Sequence, residues 1–171
     1  MEHLESLTLE TVFDRQRLHD ILVQRWCLGV DTLNWKLYRS AFAEEVQMEF
    51  PDPSSPGIIS SKLWRLEDWI VVARGLEGFD VTQHYLSNFI YHINGATAEV
   101  SSYLVAEHHL GPDYFTLGGR SIFTLERGAD DWKVVKVALA PWWTKGDQAL
   151  LAKAGERYAT GQAPRSKVAI L

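Results

Sequence analysis

Apolar positions recur at helical spacing through the first half of the chain and alternate with polar ones in the second. Residues 8–28 read as a helix that Thr8 can cap, with Val12, Phe13, Leu18, Ile21, Leu22 and Trp26 approximating an apolar stripe. "GVDTLN" breaks that helix, and a shorter one at about 34–43 sets Trp35, Tyr38 and Phe42 along one side. A short strand at 46–50 leads into "PDPSSPG", whose prolines and glycine forbid regular structure. A third helix is predicted over 63–75 from Leu63, Leu66, Trp69, Ile70 and Ala73. The period then changes. Residues 80–92 and 96–110 alternate on either side of Asn94-Gly95, a hairpin signal. Strands follow at about 114–127 and from Trp132 to about Trp143, with "RGADD" between them. Residues 147–158 suit a closing helix, and the tail after Gly161 is expected to be loosely ordered. Helices first and an antiparallel meander afterwards predict an α+β fold, with three N-terminal helices packed on one face of a curved sheet.

The alternation also sorts the chemistry. In "VTQHYLSNFIYHING", residues 81–95, His84, Leu86, Asn88, Ile90 and His92 share one face, and Tyr85, Ser87, Phe89 and Tyr91 the other. His84 is either a hydrogen-bonded core histidine or a base in a partly apolar cavity, tuned for proton transfer near neutrality. On the following strand, Val100, Ser102, Leu104, Ala106, His108 and Leu110 form the more apolar set, which selects His108 over His109 for the cavity face. The alternative is a histidine pair facing solvent at the strand end. Asp31 stands at the break between two helices, where aspartate is a favoured N-cap. Pointing instead into the cavity mouth, it would orient a histidine and stabilise the imidazolium. Asp31 with His84 would then make a base dyad, and His108 a second acid or base.

Composition narrows the choice. The 171 residues suit one domain with a substantial core. No repeat or linker divides them, so the core is expected over about 10–147, with a C-terminal helix and tail at 148–171. A net charge of −5 without any basic cluster argues against a nucleic-acid partner. Cys27 is the sole cysteine, which excludes an intrachain disulfide or thiolate zinc site. No His-x-His or HExxH spacing supports a metal, and "LGGRS" (117–121) lacks the glycines and setting of a phosphate loop. With no apolar run of membrane-spanning length and no basic-then-apolar leader, the chain is expected to be soluble, cytoplasmic and without a membrane partner. Seven tryptophans suit either a bulky core or flat walls for a ring-shaped ligand.

Three segments in order carry a family resemblance: "RWCLGVDTLNWKLYRSAF", "TQHYLSN" and "GGRSIFTLERGADDWKVVKVALAPWW". Over about residues 10–147 the chain resembles the SnoaL-like branch of the NTF2-like superfamily, whose enzymes include scytalone dehydratase and bile acid 7α-dehydratase. The resemblance implies a cone-shaped pocket. In it an aspartate–histidine pair and a second histidine, here Asp31, His84 and His108, eliminate water without a metal or organic cofactor. Val30 and Phe50 stand where scytalone dehydratase has carbonyl-polarising tyrosines, and its later Ser and Asn fall near Gly119 and Ser121. That departure argues against scytalone and for a flatter, more apolar polycyclic or phenolic metabolite, as found in secondary metabolism. Trp26, Val30, Phe50, Leu86, Leu104 and Ala106 are the expected apolar lining, with Trp64 or Trp69 near the mouth. Asn88 and Ser121 are the expected polar contacts.

Three functions compete at this level. One is a cofactor-independent lyase or isomerase with His84 as base, Asp31 as its orienter and His108 as acid. Another is a non-catalytic binding or interaction module, and the third a cyclase or hydrolase using the same cone. The enzyme is preferred because several ionisable groups in an apolar pocket are costly unless used. Tyr85, Phe89 and Tyr91, opposite His84, predict a dimer or trimer assembled through the outer sheet face.

Overall fold

The structure, a computed structural model, describes residues 8–51 and 59–163. Helices α1 (Leu9–Asp20), α2 (Leu28–Asp31) and α3 (Trp35–Ser40) come first, with a π-helical segment, Ile21–Cys27, joining α1 to α2. Strands β1 (Phe42–Pro51) and β2 (Ile59–Arg65) precede α4 (Leu66–Ala73) and a 3-10 turn at Arg74–Gly78. The meander β3 (Val81–Asn94), β4 (Thr97–Leu110), β5 (Asp113–Arg127) and β6 (Trp132–Gly146) follows, and α5 (Leu150–Ala159) closes the described chain. The six strands form one curved, open sheet in the order β2-β1-β6-β5-β4-β3. Every neighbouring pair is antiparallel except β1 with β6. The α+β architecture read from the sequence is the architecture found.

The first helix differs from its prediction in an instructive way. It continues through Cys27 by widening into π geometry, which buries Ile21, Leu22, Trp26 and Cys27 together. Val12 and Phe13 lie on its solvent side and are exposed rather than part of the core stripe. Asp14 anchors this part of α1 by accepting from Trp132 Nε1 at 3.0 Å and pairing with Arg127. Arg17 and Arg25 hold Asp131 at 2.7 and 2.9 Å, and those ion pairs keep its carboxyl below the usual range despite partial burial.

Residues 59–65 form strand β2, not the start of the third helix, and that helix begins at Leu66. The segment is an exposed edge with no apolar alternation to betray it. Its register on β1 is visible only through pairs such as Val46–Trp64 and Phe50–Ser60. Most of the "PDPSSPG" loop, and the tail beyond 163, lie outside the described residues.

The main core fills the concave side of the sheet. Leu18, Ile21 and Leu22 from the helices meet Val46, Val100, Phe123, Leu125, Val134 and Val137, all without exposed surface. Each such side chain contributes about 1.5–3 kcal/mol by leaving water. A smaller cluster, Phe79, Leu110, Phe115, Leu150 and Ala154, docks α5 against the 3-10 turn and the lower ends of β4 and β5. Among the described residues no helix is long and apolar enough to cross a membrane.

Candidate active site

The site begins at the end of α2. Asn34, not Asp31, caps α3, accepting from the Leu37 N–H at 3.1 Å. Asp31 is the last residue of α2, where the helix dipole opposes a negative charge. Its carboxylate therefore needs donors from elsewhere, and β3 supplies three of them. Thr82 Oγ1 donates to Oδ1 at 2.9 Å, the His84 backbone N–H to Oδ2 at 2.7 Å, and His84 Nδ1 to Oδ1 at 2.7 Å. The N-cap role for Asp31 is thus replaced by the alternative role, a carboxylate aimed at a histidine. With Nδ1–H on the carboxylate, His84 presents Nε2 as an unprotonated base in the neutral ring. The side chains of His84 and Asp31 are 9% and 16% exposed, shielded yet reachable.

His108 lies on the neighbouring strand, two positions from the direct partner of His84, which is Ala106. The two imidazoles meet edge to face with centroids 5.6 Å apart. His109 points the other way, toward Glu107 at 3.5 Å, so the alternation chose the inward histidine correctly. Phe79 and Phe115 flank the His108 ring, and its Nδ1–H donates to the Phe115 carbonyl at 3.2 Å. Burial, then the neighbouring His84, pushes its pKa down to about 4. His108 is therefore neutral at pH 7 and offers a lone pair at Nε2, which does not fit the acid role expected of it.

The aromatic wall comes from both helices and sheet. Trp26 packs edge-on to His84 at 5.6 Å and to Phe123 at 5.3 Å, bridging β3 and β5 across the concave face. Phe50 and Trp64, on β1 and β2, lie 5.4 and 5.9 Å from the Trp69 ring of α4. Trp64 thus belongs to an edge strand and not to the third helix, with Lys62 Nζ over its ring at 3.4 Å. Leu86 is half-buried beside buried Leu104 and Ala106, while Val30 is enclosed in the core on α2. Ser121 faces the concave side but is fully buried, bonded to Ser102 at 2.8 Å.

Asn88 must be corrected. It adopts a φ of 54°, and the β3–β4 register shifts between Ser87 and Ile90. This bulge inverts the alternation, so Asn88, Ile90 and His92 face solvent while Phe89, Tyr91 and Ile93 pack on the core. Phe89 stacks on Tyr91 and meets His19 edge to face, which removes both from the outer-face patch expected to bind another copy.

Sequence reasoning missed Thr82, Phe79 and Phe115. Thr82 had a signal, since it shares the parity of His84 two positions on; Phe115 needed the β4–β5 register, which pairs it with His108. Open depressions of about 830 and 1060 Å³ exist elsewhere, beside Arg15 and Tyr91 and beside Arg39 and Lys133. Neither is lined by Asp31, His84 or His108, so size does not mark the site and chemistry does. Among the described residues no three His, Cys, Asp or Glu side chains are grouped to hold a metal ion.

Comparisons with known proteins bear on the fold and the family. Among solved structures, the Kfla4162 protein from Kribbella flavida superposes with a TM-score of 0.73 at 22% identity, over 83% of this chain and 98% of that one. A candidate scytalone dehydratase from Novosphingobium aromaticivorans gives 0.68 at 16%, over 80% and 89%. The hexachlorocyclohexane dehydrochlorinase LinA-type3 from Novosphingobium barchaimii gives 0.67 at 13%, over 82% and 94%. At these identities the likeness shows the fold alone. No curated protein matches the sequence. The profile of the SnoaL-like domain matches residues 11–138, most of the chain, and the protein belongs to the SnoaL-like family with the NTF2-like fold.

Proposed function

We propose that the protein is a cofactor-independent lyase or isomerase that moves a proton next to a carbonyl of a flat, mostly apolar metabolite. The observation that carries this reading is the 2.7 Å contact between His84 Nδ1 and Asp31, made inside a wall of Trp26 and apolar strand residues. An imidazole fixed in that tautomer aims one basic nitrogen at the ligand, and the carboxylate stabilises the imidazolium once the proton arrives. In an elimination, His84 Nε2 takes the proton from carbon, and the C–H electron pair forms the new double bond as the C–O pair leaves with oxygen. The imidazolium gives its proton to the departing hydroxide, which leaves as water. His108, neutral and bearing a lone pair at Nε2, accepts a hydrogen bond from a substrate hydroxyl. Two structural neighbours bear the names of a candidate dehydratase and a dehydrochlorinase, which supports lyase chemistry as the class.

The test is deuterium exchange at carbons next to the carbonyl of bicyclic ketones, followed by NMR in heavy water. Exchange faster with the wild-type protein than with buffer, and lost in His84→Ala, is the expected result. No catalysed exchange across the panel, or equal exchange with His84→Ala, would overturn the reading in favour of a binding module.

A homo-oligomer remains part of the proposal, with Tyr85 kept and Phe89 and Tyr91 replaced. Tyr85, Tyr103, Trp142 and Trp143 leave 43–58% of their surface open, with Tyr103 packed edge-on to Trp142 at 5.1 Å. Light scattering at micromolar concentration should give more than one copy, and a monomer would remove this part.

A further inference from the structure

Tyr38 is a polar side chain enclosed to 3% exposure, on a helix held close by its neighbour. A Cβ at Gly29 would lie 2.7 Å from the Tyr38 backbone nitrogen, so only glycine lets α2 and α3 approach this closely. The phenol oxygen accepts Trp69 Nε1–H at 3.0 Å. A phenol has room for two incoming donors and has one hydrogen to give. One incoming position is taken by the Trp69 indole, and among the described residues no acceptor for the hydrogen is found. A buried donor left unmade costs more than an ordinary hydrogen bond gains, so an enclosed, unspent O–H points to an acceptor that arrives from outside the chain.

The surroundings say what that acceptor is. Trp69 packs against Phe50 and Trp64 in the half-buried aromatic wall, and Trp26, in the same core cluster as Tyr38, packs against His84. We propose that the Tyr38 hydroxyl donates its hydrogen to a carbonyl oxygen of the ligand bound beside Trp26 and Trp69, and so selects ketones over the corresponding hydrocarbons. Burial raises the phenol's pKa, so it is a neutral donor throughout the physiological range. The indole hydrogen bond it receives from Trp69 polarises the O–H and strengthens its donation. A neutral donor among aromatic rings matches a neutral oxygen and gives no advantage to phosphates or carboxylates. The inference rests on the cone being the ligand site; it does not need His84 to act as a base.

The probes are 1-tetralone and its deoxy counterpart tetralin, titrated against 15N-labelled protein and followed by the indole N–H resonances. Tyr38→Phe should weaken 1-tetralone roughly five- to tenfold, the value of one neutral hydrogen bond, and leave tetralin unchanged. Equal weakening of both ligands would mean a packing role only and overturn the proposal, as would failure of 1-tetralone to bind the wild-type protein. Should the variant not fold, the wild-type protein still decides. The 13C carbonyl resonance of bound 1-tetralone should move downfield of its position in an apolar solvent, and an unmoved resonance overturns the proposal. His84→Ala separates the two readings, because it should abolish exchange while retaining wild-type preference for the ketone.

Discussion

The two halves of β3 carry similar residues to opposite ends. Before Asn88, Thr82, His84 and Leu86 face the concave side, where the imidazole is pinned to Asp31 and shielded by Trp26. After it, His92 lies in solvent, and the inward positions pass to Phe89, Tyr91 and Ile93. Only one residue of register separates the two regimes, set by Asn88 at a φ of 54°. A histidine's function is thus decided less by its neighbours in sequence than by which side of the bulge it occupies. On one side a carboxylate and an indole hold the ring in the concave face; on the other, water surrounds it.

The comparison breaks most visibly at the two histidines. His84→Ala should lower catalysed ketone exchange about 10²–10⁴-fold, the usual weight of a positioned general base, whereas His92→Ala should leave the rate unchanged. Equal losses would erase the distinction between the two halves. Asp31→Asn should cost on the order of 10²-fold or more, because an amide can turn its N–H₂ toward donors that all need an acceptor and no longer stabilises imidazolium. The same substitution with full activity in the exchange assay would remove Asp31 from the dyad.

A third measurement concerns stability against pH. His108 has a folded-state pKa near 4, below its ordinary 6.5, so between those values the unfolded chain binds the extra proton. Stability is accordingly full above pH 6.5 and falls as pH drops toward 4. The fall from this group is on the order of 3 kcal/mol in urea melts, since one pKa unit is about 1.4 kcal/mol. His108→Phe should flatten that part of the profile.

The smallest effect probes the bulge itself. Asn88→Gly should leave stability within a few tenths of a kcal/mol, while Asn88→Val should cost about 1–2 kcal/mol, because a β-branched side chain resists positive φ. Denaturant midpoints give both values, and a neutral valine would show that Asn88 does not set the register. Both variants lack the amide, so the difference between them reports the backbone requirement at this position and not the amide's own contacts.

Much of this was legible in the sequence, because periodicity reports which side of an element meets the core. The change from helical spacing to alternation located the sheet, and Asn94-Gly95 located its first hairpin. In the structure, Gly95 at a φ of 59° and Ala96 are the two residues between the paired Asn94 and Thr97. Local parity also chose His108 over His109, and put His84 on the inner face, because each choice depended only on strand residues before the irregularity. Asp31 was found by its place between helices, but its role there was left open. An aspartate at a helix break can cap the next helix or point elsewhere, and only the position of β3 decides between them.

What the sequence by itself determined was therefore local: which segments are helices or strands, and which side of each is apolar, since side-chain hydrophobicity and backbone propensity act over a few residues. Tertiary structure decided what depends on contacts between distant segments. The edge strand β2 exists through its pairing with β1, having no apolar alternation of its own. The bulge at Asn88 is a matter of register, and a one-residue slip sends every later side chain to the other face. Asp31 and Thr82, 51 residues apart, become partners only when α2 lies across β3, and the low pKa of His108 comes from enclosure by Phe79 and Phe115. Desolvation and hydrogen-bond geometry are properties of assembled surroundings, and no stretch of chain specifies them alone.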